Sequence, residues 1–182
     1  MKKEEIKIER NYLTVDEFQQ IRKIENLSED FLDFLEIGFR TGISVGNILH
    51  LKKENIDLEK KIIIGTARKT GHPIYIVMDS TTFQILKKRV EQTKTDLLFS
   101  DQEHKVYPIS YFSVPLQNAL KMMHHEKCVH KPVHSIRAGN AEFLRIHKIP
   151  LNEIMFRQDC FIKDQCIMKD QSASVYAIDT YL

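Results

Sequence analysis

The chain has 182 residues, 42% of them hydrophobic and 29% charged, enough to bury one core of ordinary size. Six Gly and five Pro exclude a collagen-like or linker-rich chain. Lys and Arg number 27 against 25 Asp and Glu, so net charge alone does not mark a nucleic-acid binder. No apolar run approaches the roughly 18 residues of a membrane span. The opening MKKEEIKIER is charged throughout and lacks the apolar stretch of a secretory signal. Three cysteines, Cys128, Cys160 and Cys166, are an odd number at irregular spacing and suggest no disulfide framework. These features predict a soluble, intracellular (cytoplasmic) protein without a membrane partner, and residues 1–182 are treated as one domain.

In chain order, Thr14 and Glu17 have capping-box spacing and open a first helix with Val15, Phe18, Ile21 and Ile24 on its buried face. Ser28 opens a second helix through Phe31, Leu35 and Phe39, and Gly42 supplies its left-handed stop. Ser44 is expected to cap a short helix carrying Ile48, Leu49 and Leu51. The period then changes. Ile56 with Leu58, Ile62 to Ile64, and Ile74 to Val77 predict a small antiparallel meander. The polar turn Arg68-Lys69-Thr70-Gly71-His72 puts Lys69 at a hairpin tip. Ser80 is expected to cap a helix through Leu86 and Val90. Further helices follow over about 110–125, from near His134, after Pro150, and over 173–178. The fold class is therefore α+β, mostly helical, with a small antiparallel three-stranded sheet.

From Leu120 to Pro150 six Lys or Arg face two acids, with five histidines in the same stretch. A basic face is one reading of this run and a solvated surface the other. His124, His125, Cys128 and His130 do not have paired zinc-finger spacing, and Cys160 and Cys166 form no C-x₂-C, so no metal site is expected. His134 and Arg137 form an H-x-x-R pair at helical spacing, so both side chains share one face.

Several segments, in order, resemble the catalytic domain of the tyrosine recombinase (phage integrase) family. They are YLTVDEF from Tyr12, TGISVGNILHLKKENIDLEKKIII, ARKTGHPIYIV, KPVHSIRAGNAEFL, KIPLNEIMFRQ and SASVYAID, together spanning about residues 11–180. The resemblance implies an integrase-type catalytic domain that cuts and rejoins double-stranded DNA through a 3′-phosphotyrosyl intermediate, with no metal or small-molecule cofactor. It implies Tyr176 as nucleophile, Arg137 and His134 as phosphate-contacting groups, and Lys69 as acid toward the leaving 5′ oxygen. Arg68 and Lys131 are candidate DNA contacts, and a homo-oligomer on DNA is compatible with the family's habits. The DNA-clamping domain that precedes the catalytic domain in this family is expected to be absent.

The chain departs from the family pattern in particular places. Ser44 occupies the first-arginine slot, Asn47 replaces a neighbouring acidic residue, and the later histidine slot falls on or near Cys160. The interval from His134 to Tyr176 is also longer than usual, which keeps Tyr181 as the alternative nucleophile. Arg40 is the candidate to reach back and replace the missing arginine. These departures keep a second function open: a catalytically degenerate relative serving as a DNA-binding or protein-interaction module.

Overall fold

The computed structural model describes residues 11–123, 132–158 and 171–182. Helix α1 (Val15–Ile21) begins at the Thr14 capping box, with the Thr14 N–H donating to Glu17 Oε2 at 2.9 Å and the Glu17 N–H to Thr14 Oγ1 at 3.3 Å. Ile24 falls beyond its last turn but still packs on the core. Helix α2 (Glu29–Thr41) is capped by Ser28 and stopped by Gly42 in the left-handed region at φ 72°. Gly is required there twice over: a Cβ would also meet Asn140 Oδ1 at 2.5 Å.

The short α3 (Val45–Leu49) has Ser44 at its N-cap, but the Ser44 side chain makes no capping bond, and Leu51 lies past its end. Strands β1 (Ile56–Asp57), β2 (Ile62–Thr66) and β3 (Pro73–Val77) form the expected meander in the order β1-β2-β3. Ile63 pairs with Ile56 on one side and Ile76 on the other, which turns all three toward the core. Gly71, at φ 71°, makes the bend between β2 and β3.

Helix α4 (Ser80–Gln92) corrects one expectation. Its N-cap is Asp79, whose carboxylate accepts from the Thr82 N–H, and Ser80 is the first helical residue. A carboxylate one position earlier outcompetes the hydroxyl because it also complements the helix dipole. Helices α5 (Ile109–Met122), α6 (Pro132–Ile146), α7 (Leu151–Arg157) and α8 (Ser172–Tyr181) complete the described chain. Proline at the first position of α6 suits a helix start, where its missing N–H has no partner to lose.

Helix α2 is the centre. Its apolar residues are buried on several sides, with Phe39 stacked on Phe18 at 4.4 Å and Phe34 tilted against Phe112 at 4.4 Å. A smaller cluster of Phe143, Leu144, Ile154, Ala177 and Ile178 seats α8 against α6 and α7. No helix among the described residues is long and apolar enough to cross a membrane.

Helix α6 approaches the centre closely because Gly139 has no side chain. A Cβ there would collide with the Leu13 carbonyl and come within 2.7 Å of Phe39 Cε2. The Leu13 N–H donates to the Ser135 carbonyl at 2.9 Å, which fixes the same approach from the backbone. Gly139→Ala is therefore expected to destabilise the fold by about 2 kcal/mol through overpacking. Thermal unfolding followed by circular dichroism should show a midpoint lower by about 4–8 °C. An unchanged midpoint would contradict this packing.

Candidate active-site cleft

Three segments distant in sequence meet around one cleft of about 300 Å³. The α2–α3 junction supplies Ser44, Val45 and Asn47; the β2–β3 turn supplies Ala67, Lys69 and Thr70; the first turns of α6 supply Val133, His134 and Arg137. The H-x-x-R pair and the hairpin lysine thus line the same space, across a sequence separation of more than sixty residues.

Each wall is held by identifiable bonds. The turn is closed by the Ala67 N–H donating to the His72 carbonyl at 2.7 Å and the Gly71 N–H to the Ala67 carbonyl at 2.8 Å. Asn47 Oδ1 accepts from the Arg68 N–H at 3.1 Å, tying the turn to α3. That bond gives the neutral amide a structural use where the resembled pattern has an acid. Arg137 Nη1 donates to the Gly42 carbonyl at 3.0 Å, orienting the guanidinium at the C-terminal end of α2. Asn140, one turn further along α6, is fully buried and donates to the Phe39 carbonyl at 2.8 Å. These groups satisfy carbonyls that a helix end otherwise leaves without partners.

The chemistry of the cleft is that of an anion site. Lys69 and His134 are exposed and Arg137 half-buried, so their polar ends meet water and any ligand that enters. Arg137 offers a planar fork of donors suited to two oxygens of one phosphate. The N-terminal turn of α6 adds its own positive end to the same side. Ser44 contributes a neutral hydroxyl to the same cleft. Among the described residues, no group of three or more His, Cys, Asp or Glu side chains is arranged to hold a metal ion.

Arg40 is not in this cleft, which corrects the expectation that it replaces the missing arginine. Its side chain is buried, with Nε 2.7 Å from Glu36 Oε2 and Nη1 2.7 Å from Asp79 Oδ2. Arg22 pairs with the same Glu36. Two carboxylates on short bonds hold the guanidinium in the interior, so it does not extend past Gly42.

Arg68 is exposed but lies to one side of the cleft, its Nη1 2.8 Å from His50 Nε2. His50 Nδ1 stands 2.8 Å from the Gly46 carbonyl, so a ring that donates there presents Nε2 as the acceptor. Lys131, His124, His125, Cys128, His130, Cys160 and Cys166 lie outside the described residues.

Tyr176 is on α8 and 69% exposed; it does not line the cleft. Tyr181 packs its ring against His147 at 4.5 Å, and His147 in turn packs on Phe143 at 4.3 Å. Both tyrosines are exposed, Tyr176 at 69% and Tyr181 at 56%, and Tyr181 has a ring partner in His147.

Sequence reasoning missed Arg157. This residue ends α7, is 1% exposed, and donates from Nε to Ser174 Oγ at 2.7 Å and from Nη2 to the Val77 carbonyl at 3.1 Å. Burial pushes its pKa down to about 10, and the nearby Glu153 and Asp79 pull it back up. It remains charged at neutral pH. The Glu153–Arg157 pair, four residues apart on one face of a short helix, is the sequence signal that could have marked it.

No protein-family model matches the chain, and no curated protein matches its sequence. Solved structures do match its fold. The XerA recombinase aligns over 94% of this chain and 60% of its own, with a TM-score of 0.66 and 18% identity. The integrase from mycobacterium phage Brujita aligns over 93% and 57%, with a TM-score of 0.70 and 12% identity. The lambda integrase catalytic core aligns over 86% of this chain and 95% of its own, with a TM-score of 0.63 and 18% identity. The chain thus spans about 60% of the XerA and Brujita structures and has the fold of an integrase catalytic core. Other matches are recombinase and integrase structures in complex with DNA.

The interior placement of Arg40 has a measurable consequence. Arg40→Met leaves Glu36 and Asp79 without their shared cation, and breaking a buried pair from one side costs about 3–5 kcal/mol. Urea unfolding should show a loss of that order. A variant of unchanged stability would contradict the interior role.

Proposed function

We propose that this chain is a tyrosine recombinase catalytic domain that cuts and rejoins double-stranded DNA. The observation that carries the reading is the single cleft shared by Lys69, His134 and Arg137. A phosphodiester entering it would meet Arg137 and His134 at its non-bridging oxygens, where charge builds in the transition state. Lys69, at the tip of an exposed turn, would donate a proton to the departing 5′ oxygen.

In the proposed reaction the Tyr176 phenolate oxygen forms a bond to phosphorus as the bond to the 5′ oxygen breaks. The product is a 3′-phosphotyrosyl link that keeps the energy needed for rejoining. Attack by a 5′ hydroxyl reverses the step and restores the tyrosine. No oxidant, nucleotide or metal is needed to balance it. With few cations at the cleft, binding by this chain is expected to be weak and to fall only shallowly with salt.

Ser44 favours a second reading, a DNA-binding relative with lost or slow chemistry. Removing one preorganised donor to a transition-state anion slows catalysis by about 10²–10³-fold, so the two readings differ in rate before they differ in binding.

Two experiments test the proposal. Labelled nicked duplexes incubated with the protein should give adducts that survive SDS, and Tyr176→Phe should abolish them. Binding without adduct at saturating protein would support the module instead. Ser44→Arg should raise the rate of adduct formation by about 10²-fold if the cleft lacks only that cation. A folded Ser44→Arg variant with no gain would contradict the assignment of that slot.

A further inference from the structure

Helix α8 is joined to the rest of the chain by a buried polar network as well as by Ala177 and Ile178. Ser174 is wholly buried; its Oγ accepts from Arg157 Nε at 2.7 Å and its N–H donates to Glu153 Oε1 at 3.2 Å. Glu153 and Arg157 stand four residues apart on α7, so one helix face presents both an acceptor and a donor to the same serine. The Gln171 side chain, also buried, pairs with the free edge of β3. Its Oε1 accepts from the Val77 N–H at 3.1 Å and its Nε2 donates to the Tyr75 carbonyl at 2.7 Å. On the outer side, Asp179 Oδ1 accepts from the Ser80 N–H at 2.9 Å and the Ser80 hydroxyl at 2.6 Å.

The three attachments differ in what they can fix. Asp179 is an exposed latch in competition with water. Gln171 holds only the residue before the helix. Arg157 alone joins α8 to both the end of β3, through the Val77 carbonyl, and the end of α2, through the Arg40 carbonyl at 3.5 Å. Because a buried guanidinium demands several acceptors in a fixed fork, α8 is held in one register. Ser174 faces inward, and Tyr176, two residues on and about 200° around the helix, faces outward.

We propose that Arg157 is a positioning residue that locks the Tyr176-bearing helix onto the body of its own chain. The proposal rests on the reading of Tyr176 as the nucleophile. By fixing the register of α8, Arg157 sets where the phenol stands relative to the cleft. A 1 Å error in such a geometry is enough to slow a reaction strongly.

The test compares the wild-type chain with Arg157→Met, which keeps volume and removes the donors, and with Ser174→Ala, a milder change on the partner side. Amide hydrogen exchange over residues 172–181 should quicken by about 10–100-fold in both, with α2 and α6 still protected. Adduct formation on saturating nicked duplex should fall by about tenfold or more while the dissociation constant for DNA is unchanged. A purely structural arginine would instead lower protection everywhere or leave the rate per folded molecule alone. If Arg157→Met does not fold, Ser174→Ala carries the same comparison.

Unchanged exchange over 172–181 in the folded variants would overturn the docking role. A released helix with an unchanged or faster adduct rate would overturn the positioning role. A wild-type chain that forms no adduct, yet whose helix Arg157→Met releases, would overturn the reading of Tyr176 while supporting the lock.

Discussion

A guanidinium buried at the meeting point of four elements is the constraint on which the arrangement depends. Arg157 cannot shed its charge at neutral pH and cannot reach water, so α8, β3 and the C-terminal end of α2 must each present an acceptor to it. Glu153, Asp79 and Glu36 balance it together with Arg40 and Arg22. A set of interlocked charges of this kind gives little net stability over an apolar replacement but penalises every misplaced arrangement heavily. It fixes positions more than it adds stability, which is what the proposed phosphoryl-transfer site would require.

The end of α2 is where the interior network and the cleft join. Its last carbonyls receive Asn140, Arg137 and Arg157, two cations and an amide at the negative end of the central helix. Gly42 makes this possible by turning the chain left-handed and leaving room for Asn140. The chain then enters Ser44 and the cleft wall. A displacement of α2 would move Arg137, and with it the face on which His134 stands.

Local rules carried most of the fold. Thr14, Ser28 and Gly42 mark helix ends through bonds made within a few residues, and Gly71 marks the hairpin through its own φ, so each was legible in sequence. Ser80 misled because the adjacent Asp79 competes for the same cap, and Ser44 because occupying an N-cap position does not oblige a side chain to bond there. In the cleft, Lys69, His134 and Arg137 were named in advance on resemblance, and the structure brings them together; their roles are part of the proposal. Arg40 and Arg157 were not legible for one shared reason. Arg40's partner Asp79 is 39 residues away and Arg157's partner Val77 80 residues away, so no periodicity records either contact.

The central claim is that one chain holds both the anion cleft and a usable nucleophile on a docked helix. Mixing Tyr176→Phe with Arg137→Ala on nicked duplex tests it most directly. If each chain works on its own, the wild-type protein gives a covalent DNA adduct and the mixture gives no more than either variant alone. An adduct restored in the mixture would show the tyrosine acting in a neighbour's cleft, and would contradict the account.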